Sequence, residues 1–110
     1  MSSKKRLLAV DLGASGGKCF VGTFDKGHFA MDEIHRFDHE SATFFLADSA
    51  GKVTERTHWN DTLIYAEIIK GLQACRRQVA PELDSIGIDT WGADAQWISA
   101  DGETLGKLYG

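Results

Sequence analysis

The chain reads as a mixed α/β domain, and three features of its sequence predict this. Its opening third is a series of apolar runs broken by glycine turns, as successive antiparallel strands are. One long stretch, Asn60 to Val79, repeats its apolar residues at helical spacing. A short apolar segment, Ile86 to Asp89, follows the helix and its Pro81 stop.

Arg6 to Asp11 is an apolar run that ends in an acid and a glycine turn, and it reads as a buried strand. Lys18 to Phe24 carries Cys, Phe and Val on both faces and reads as a second buried strand. Gly13-Ala14-Ser15-Gly16-Gly17 joins them, which makes an antiparallel hairpin with a glycine-rich turn. Asp25-Lys26-Gly27 is a second tight turn. His28 to Phe37 then reads as a third strand, with Phe29, Met31 and Phe37 on one parity and Ala30 and Ile34 on the other. Thr43 to Ala47 and Val53 to Thr57 fit either two short strands or an ordered loop. For the helix, Asn60 is the N-cap, and Trp59 with Ile64 has the spacing of a hydrophobic staple. Ile64, Ile68, Leu72, Cys75 and Val79 form one apolar stripe, with Glu67, Lys70, Arg76 and Arg77 largely off it. Leu83-Asp84-Ser85 leads into the strand Ile86 to Asp89, and Thr90 to Asp94 leaves it as a loop. Gln96 to Ala100 reads as a last strand, followed by an Asp101-Gly102 turn. Three antiparallel strands, then a helix crossing over to a strand beside the first, is the pattern of a ribonuclease-H-like core.

The length of 110 residues fits one compact domain. Apolar residues make up 43% and charged residues 25%, near the globular average, so a packed core is expected. A net charge of -4 argues against a nucleic-acid or membrane-surface partner, which would need a basic patch. No apolar stretch approaches the roughly 20 residues of a membrane span. Leu7 to Val10 is too short for the apolar region of a signal peptide. Cys19 and Cys75 are far apart and read as buried, reduced thiols of a cytoplasmic protein. His28, His35, His39 and His58 show no metal-binding spacing and read as ordinary strand and loop residues. The ending Leu105 to Gly110 does not look like a domain terminus, so a piece of a longer protein is expected.

Two segments can carry chemistry. In Asp11 to Lys18, glycines let backbone N–H groups approach an anion, Ser15 adds a hydroxyl donor and Lys18 a positive charge. Asp11, at the end of a strand, can hold a magnesium ion directly or through water. The spacing is not that of a P-loop or a dinucleotide fingerprint, and Cys19 stands where a P-loop hydroxyl would be. The same residues read equally as a glycine-rich hairpin turn flanked by charges. The second segment is Asp89-Thr90-Trp91-Gly92-Ala93-Asp94. Ligands of open α/β sheets bind outside the strand ends, and this loop should open near Asp11. Trp91 offers an apolar face for a sugar ring, Gly92 permits close backbone approach, and Asp89 and Asp94 can accept hydrogen bonds from hydroxyls or hold a metal-bound water. The alternative is a buried tryptophan with two capping carboxylates.

Together the segments resemble the FGGY carbohydrate kinases, and within them the rhamnulokinase-like members most closely. The resemblance rests on Leu8 to Ser15, His35-Arg36-Phe37, Trp59-Asn60, Asp84 to Gly92, and Asp101-Gly102 with Leu105-Gly106. It implies that residues 1–110 are part of the amino-terminal domain of a two-lobed enzyme, ribonuclease-H-like of the actin/hexokinase ATPase type. It implies ATP and Mg2+ as cofactors, with Ala14, Ser15, Gly16, Gly17 and Lys18 along the ATP phosphates and Asp11 near the metal. It implies a ketose such as L-rhamnulose as the sugar, with Gly92 in contact and Trp91 and Asp94 nearby. The catalytic aspartate and the adenine pocket would then lie outside this chain, in or near the second lobe, and this chain alone would not be a competent kinase. The sequence departs from the family pattern at Gly16 (usually serine), Lys18 (usually arginine) and Ala93-Asp94-Ala95 (usually Val-Asp-Phe), and Ser41 to Thr57 matches poorly. Lysine keeps the charge of arginine without its two-pronged geometry. Two other functions use the same residues. Asp11, Asp89 and Asp94 could gather two metals, as in a ribonuclease-H-like nuclease, or the fold could serve as a non-catalytic sugar- or nucleotide-binding module.

Overall fold

A computed structural model describes residues 4–106. Its main sheet has four strands in the order β3-β2-β1-β6. The strands are β1 (Lys5–Leu12), β2 (Gly16–Asp25), β3 (His28–Asp38) and β6 (Ser85–Asp89). The first three run as antiparallel neighbours, and β6 lies parallel to β1. Parallel neighbours need a crossover, and the chain between them contains the helix α1 (Asp61–Gln78). A second sheet is the hairpin β4 (Ala42–Ala47) and β5 (Val53–His58), which settles the undecided region as two strands. Its turn is held by Asp48, whose carboxylate accepts from the Ala50 and Lys52 amides at 2.9 Å each.

The helix starts and stops where its residues dictate. Asn60 accepts from the Leu63 amide at 3.1 Å and caps the first turn. Val79 is the C-cap, just ahead of Pro81. The face that meets the sheet is Ile68, Gly71, Leu72, Ala74 and Cys75. Gly71 allows the closest approach: a Cβ there would stand 2.6 Å from the Cys19 sulfur. The core beneath it is Leu8 and Val10 of β1, Cys19 and Val21 of β2, and Cys75. Both thiols are buried and free, and burial first, then the Glu67 charge, pushes the Cys19 thiol up.

Three expectations change. Burial of β1 and β2 holds on one face only. The helix covers the side of Leu8, Val10, Cys19 and Val21, while Phe24, Phe29 and Met31 stay exposed on the other. The second change is a bulge in β3. Cys19 pairs with His35 but Phe20 with Glu33, so Ile34 is an extra residue. One extra residue flips the alternation. Phe37 therefore turns to the helix side, 8% exposed, while Phe29 at 58% faces away, although the two share sequence parity. The segment Gln96 to Ala100 forms no strand of the sheets. It makes one bridge, Ile98 to Thr104, around a turn in which Gly102 has φ 90°. Trp97 and Ile98 are exposed, so no packing extends that ladder. Among the described residues no helix is long and apolar enough to cross a membrane.

Candidate functional site

The β1–β2 hairpin closes tightly. Leu12 pairs with Gly17, the Gly13 amide donates to the Gly16 carbonyl at 2.8 Å, and Ala14-Ser15 form the tip. Two-residue hairpin loops favour left-handed residues, yet none of the glycines here has positive φ. Gly16 and Gly17 are needed for another reason. A Cβ on Gly16 would overlap the Phe37 carbonyl, and one on Gly17 the Phe37 ring. The glycine-rich stretch therefore lets the hairpin lie flush on β3. What remains for an anion is the tip: neither the Ala14 and Ser15 amides nor the Ser15 hydroxyl has a hydrogen-bond partner among the described residues.

A hollow of about 210 Å³ opens beside this turn. Asp11, Ser15, Gly16, Gly17 and Lys18 line it, and Ala14 sits at the exposed tip outside its lining. Sheet register explains the grouping. Asp89, Asp11, Lys18 and Arg36 are successive partners across β6, β1, β2 and β3. Two carboxylates and two cations thus form one row across the sheet. Arg36, which sequence reasoning left out of the site, lines the same hollow with Asp38. It donates to Glu33 at 2.8 Å, and that bond holds the Glu33 carboxyl below its usual range. Only the β3 bulge places Arg36 opposite Lys18, and no sequence signal marked it.

A second hollow of about 300 Å³ adjoins the helix start. Trp91, Thr90 and Asp94 form one wall; Leu12, Ile64 and Ile68 line the apolar side, with Asp61 and Tyr65 nearby. Gly92 is exposed outside this lining, and a Cβ on it would meet no atom within 4 Å. Asp94 does not cap Trp91. It accepts from the Trp59 indole at 2.9 Å, and Trp59 stacks on Trp91 with ring centres 4.3 Å apart. That leaves the second Asp94 oxygen available to another donor. Trp59, read as a helix staple, is thus also the back of the Trp91 wall.

The two hollows are linked by His39, which in the sequence reads as an ordinary loop residue. Its Nε2–H donates to the Gly13 carbonyl at 2.8 Å, and its ring meets Trp59 and Trp91 edge-on at 5.2 and 5.6 Å. His35 is engaged too, donating to Glu67 at 2.6 Å. Among the described residues no three His, Cys, Asp or Glu side chains converge as a metal cluster. The three-carboxylate arrangement of the nuclease alternative is therefore absent, since Asp94 is turned to Trp59.

Sequence comparison finds similarity to rhamnulokinases. The chain is 34% identical over 106 residues to a rhamnulokinase of Bacteroides thetaiotaomicron, and 35% identical over 108 residues to one of Pectobacterium atrosepticum. Each alignment takes in 96% of the chain. The chain is thus similar to rhamnulokinases along nearly its whole length. A third rhamnulokinase, of Ligilactobacillus salivarius, is 33% identical over 92% of the chain. The chain spans about a fifth of the length of these rhamnulokinases. No family model matches it.

Proposed function

We propose that this chain is the amino-terminal part of an ATP-dependent carbohydrate kinase, ribonuclease-H-like in fold, that phosphorylates a ketose such as L-rhamnulose. The observation that carries the reading is the adjacency of two unlike hollows joined by His39, one charged and hydrogen-bonding, one apolar and aromatic. The similarity to rhamnulokinases supports it.

In this reading the Ala14 and Ser15 amides, the Ser15 hydroxyl, Gly16, Gly17 and Lys18 receive the ATP phosphates, with Arg36 as a second cation. Transfer of a phosphoryl group is mostly positioning and charge stabilisation, and these groups supply both. Asp11 and Asp89, adjacent in register, offer hard oxygen donors of the kind Mg2+ takes when phosphate oxygens and water complete its shell. Mg2+ held there would offset phosphate charge. Trp91 gives the sugar an apolar wall, and Asp94 and Gly92 meet its hydroxyls. The proton acceptor is assigned to none of the residues described here, and lobe closure would exclude water.

The test is ADP release by the full-length protein across a panel of ketoses and polyols. Activity on a ketose is expected, and Asp11→Ala should lower it about 100-fold, the scale of losing one electrostatic stabiliser. A wild-type rate in Asp11→Ala would remove Asp11 from the mechanism. Sugar or nucleotide binding without turnover would favour a binding module instead.

A further inference from the structure

We infer that His39 is a positioning residue that fixes the tip of the β1–β2 turn relative to the Trp59–Trp91 pair, so that anion binding at the turn is felt at the aromatic wall. The inference rests on the reading of the turn as a phosphate cradle and of Trp91 as a sugar wall.

Three observations carry it. The His39 backbone amide donates to the Ser15 carbonyl at 3.0 Å, and its Nε2–H to the Gly13 carbonyl at 2.8 Å. One residue therefore grips the turn on both sides of Ala14. A carbonyl only accepts, so Nε2 carries a proton in this geometry. The same ring meets Trp59 and Trp91 edge-on, and edge-to-face contacts at 5 to 6 Å are the favoured aromatic geometry. Finally, Trp59 is anchored at both ends, by Asp94 at its indole nitrogen and by Trp91 at its face. A shift of the turn has to move the imidazole, and a shift of the imidazole has to disturb the stack.

Two substitutions divide the role. His39→Phe keeps a ring against the tryptophans and loses the bond to Gly13. His39→Gln keeps a donor near the Nε2 position and loses the ring. If either half alone mattered, one variant would behave as wild type; if linkage matters, both lose it.

Hydrogen exchange of the ligand-free, full-length protein reads the link directly. Trp59→Phe, which shortens the stack, should speed exchange in residues 11–18 by up to about five-fold, the factor for one net hydrogen bond. It should have no such effect in either His39 background, while exchange in residues 19–23 stays unchanged as the folding control. Equal exchange at the turn with and without Trp59→Phe, or the same acceleration in the His39→Phe background, overturns the inference. The second readout is tryptophan emission on addition of magnesium tripolyphosphate, with binding followed separately by calorimetry. Wild type should respond; both His39 variants should bind and respond weakly. Trp97, 82% exposed, lies outside the stack, so the response is read as the difference from a Trp91→Phe control. An undiminished response in either variant also overturns the linkage. Absence of tripolyphosphate binding in wild type counts against the cradle itself, and the exchange experiment then decides His39 independently.

Discussion

Replacing Gly71 by alanine sets two effects of opposite sign against each other, and the structure decides between them. In a helix interior alanine is favoured over glycine by about 0.8–1.0 kcal/mol. Gly71, however, is where α1 lies closest to the sheet. The new Cβ would stand 2.6 Å from the Cys19 sulfur and 3.2 Å from the Cys19 Cβ. Cys19 is fully buried, so its sulfur has no solvent to retreat into. Overpacking of a closed core costs about 1–3 kcal/mol. The clash outweighs the propensity, for a net loss of about 1 kcal/mol. Urea unfolding should show a lower midpoint at unchanged slope. In a heat scan the same loss should lower Tm by about 4–8 °C. In a Cys19→Ala background the sulfur is gone and only the 3.2 Å contact remains, which needs a shift of a few tenths of an ångström. There Gly71→Ala should be neutral or stabilising. A rise in the midpoint on making Gly71→Ala in the otherwise unaltered protein would refute the reasoning, because it would mean that the helix does not approach Cys19 this closely.

Other substitutions test other elements. Phe37→Ala should cost about 3–5 kcal/mol and Phe29→Ala far less, although the two share sequence parity; equal costs by urea unfolding would deny the β3 bulge. Asn60→Ala removes the cap on the Leu63 amide and should cost about 1 kcal/mol, with helix content at 222 nm falling at lower temperature. The His35 hydrogen bond, with smaller help from Lys70, holds the Glu67 carboxyl below its ordinary range. A depressed folded-state value means this stabilisation is complete above the ordinary carboxylate range and is lost as pH falls through the depressed value. Glu67→Gln should therefore flatten the acid limb of the stability–pH curve; an unchanged acid limb would remove Glu67 from it.

The local elements were legible in the residues. Helix α1 announces itself through the Asn60 cap, the apolar spacing and Pro81, because these act within one or two turns of chain. The β1–β2 hairpin and the β6 strand are equally local, and Asp84 reinforces the latter by bonding to the Arg6 amide at 2.9 Å. Of the site, Asp11, Ser15, Gly16, Gly17 and Lys18 were placed together by sequence adjacency alone, and they line one hollow. Ala14, inferred from resemblance, and Gly92, read as a point of close backbone approach, lie outside the lining of both hollows.

What sequence could not supply depended on register and on contacts between distant segments. A single extra residue at Ile34 reverses the faces of β3, burying Phe37 and bringing Arg36 opposite Lys18. No local propensity marks such a bulge, because it exists only in the pairing of β3 with β2. Glycines 16 and 17 were visible as glycines, but their need arises from Phe37, twenty residues on. Trp59, Trp91, Asp94 and His39 look unrelated along the chain and meet only because β6 pairs with β1 beside the start of α1. The sequence by itself determined the β1–β2 hairpin with its glycine turn, the third strand, helix α1 and the β6 strand, since each is fixed by neighbours in the chain. The tertiary structure alone decided which faces are buried and how the turn is tied to the tryptophan wall, since those follow from packing across the sheet.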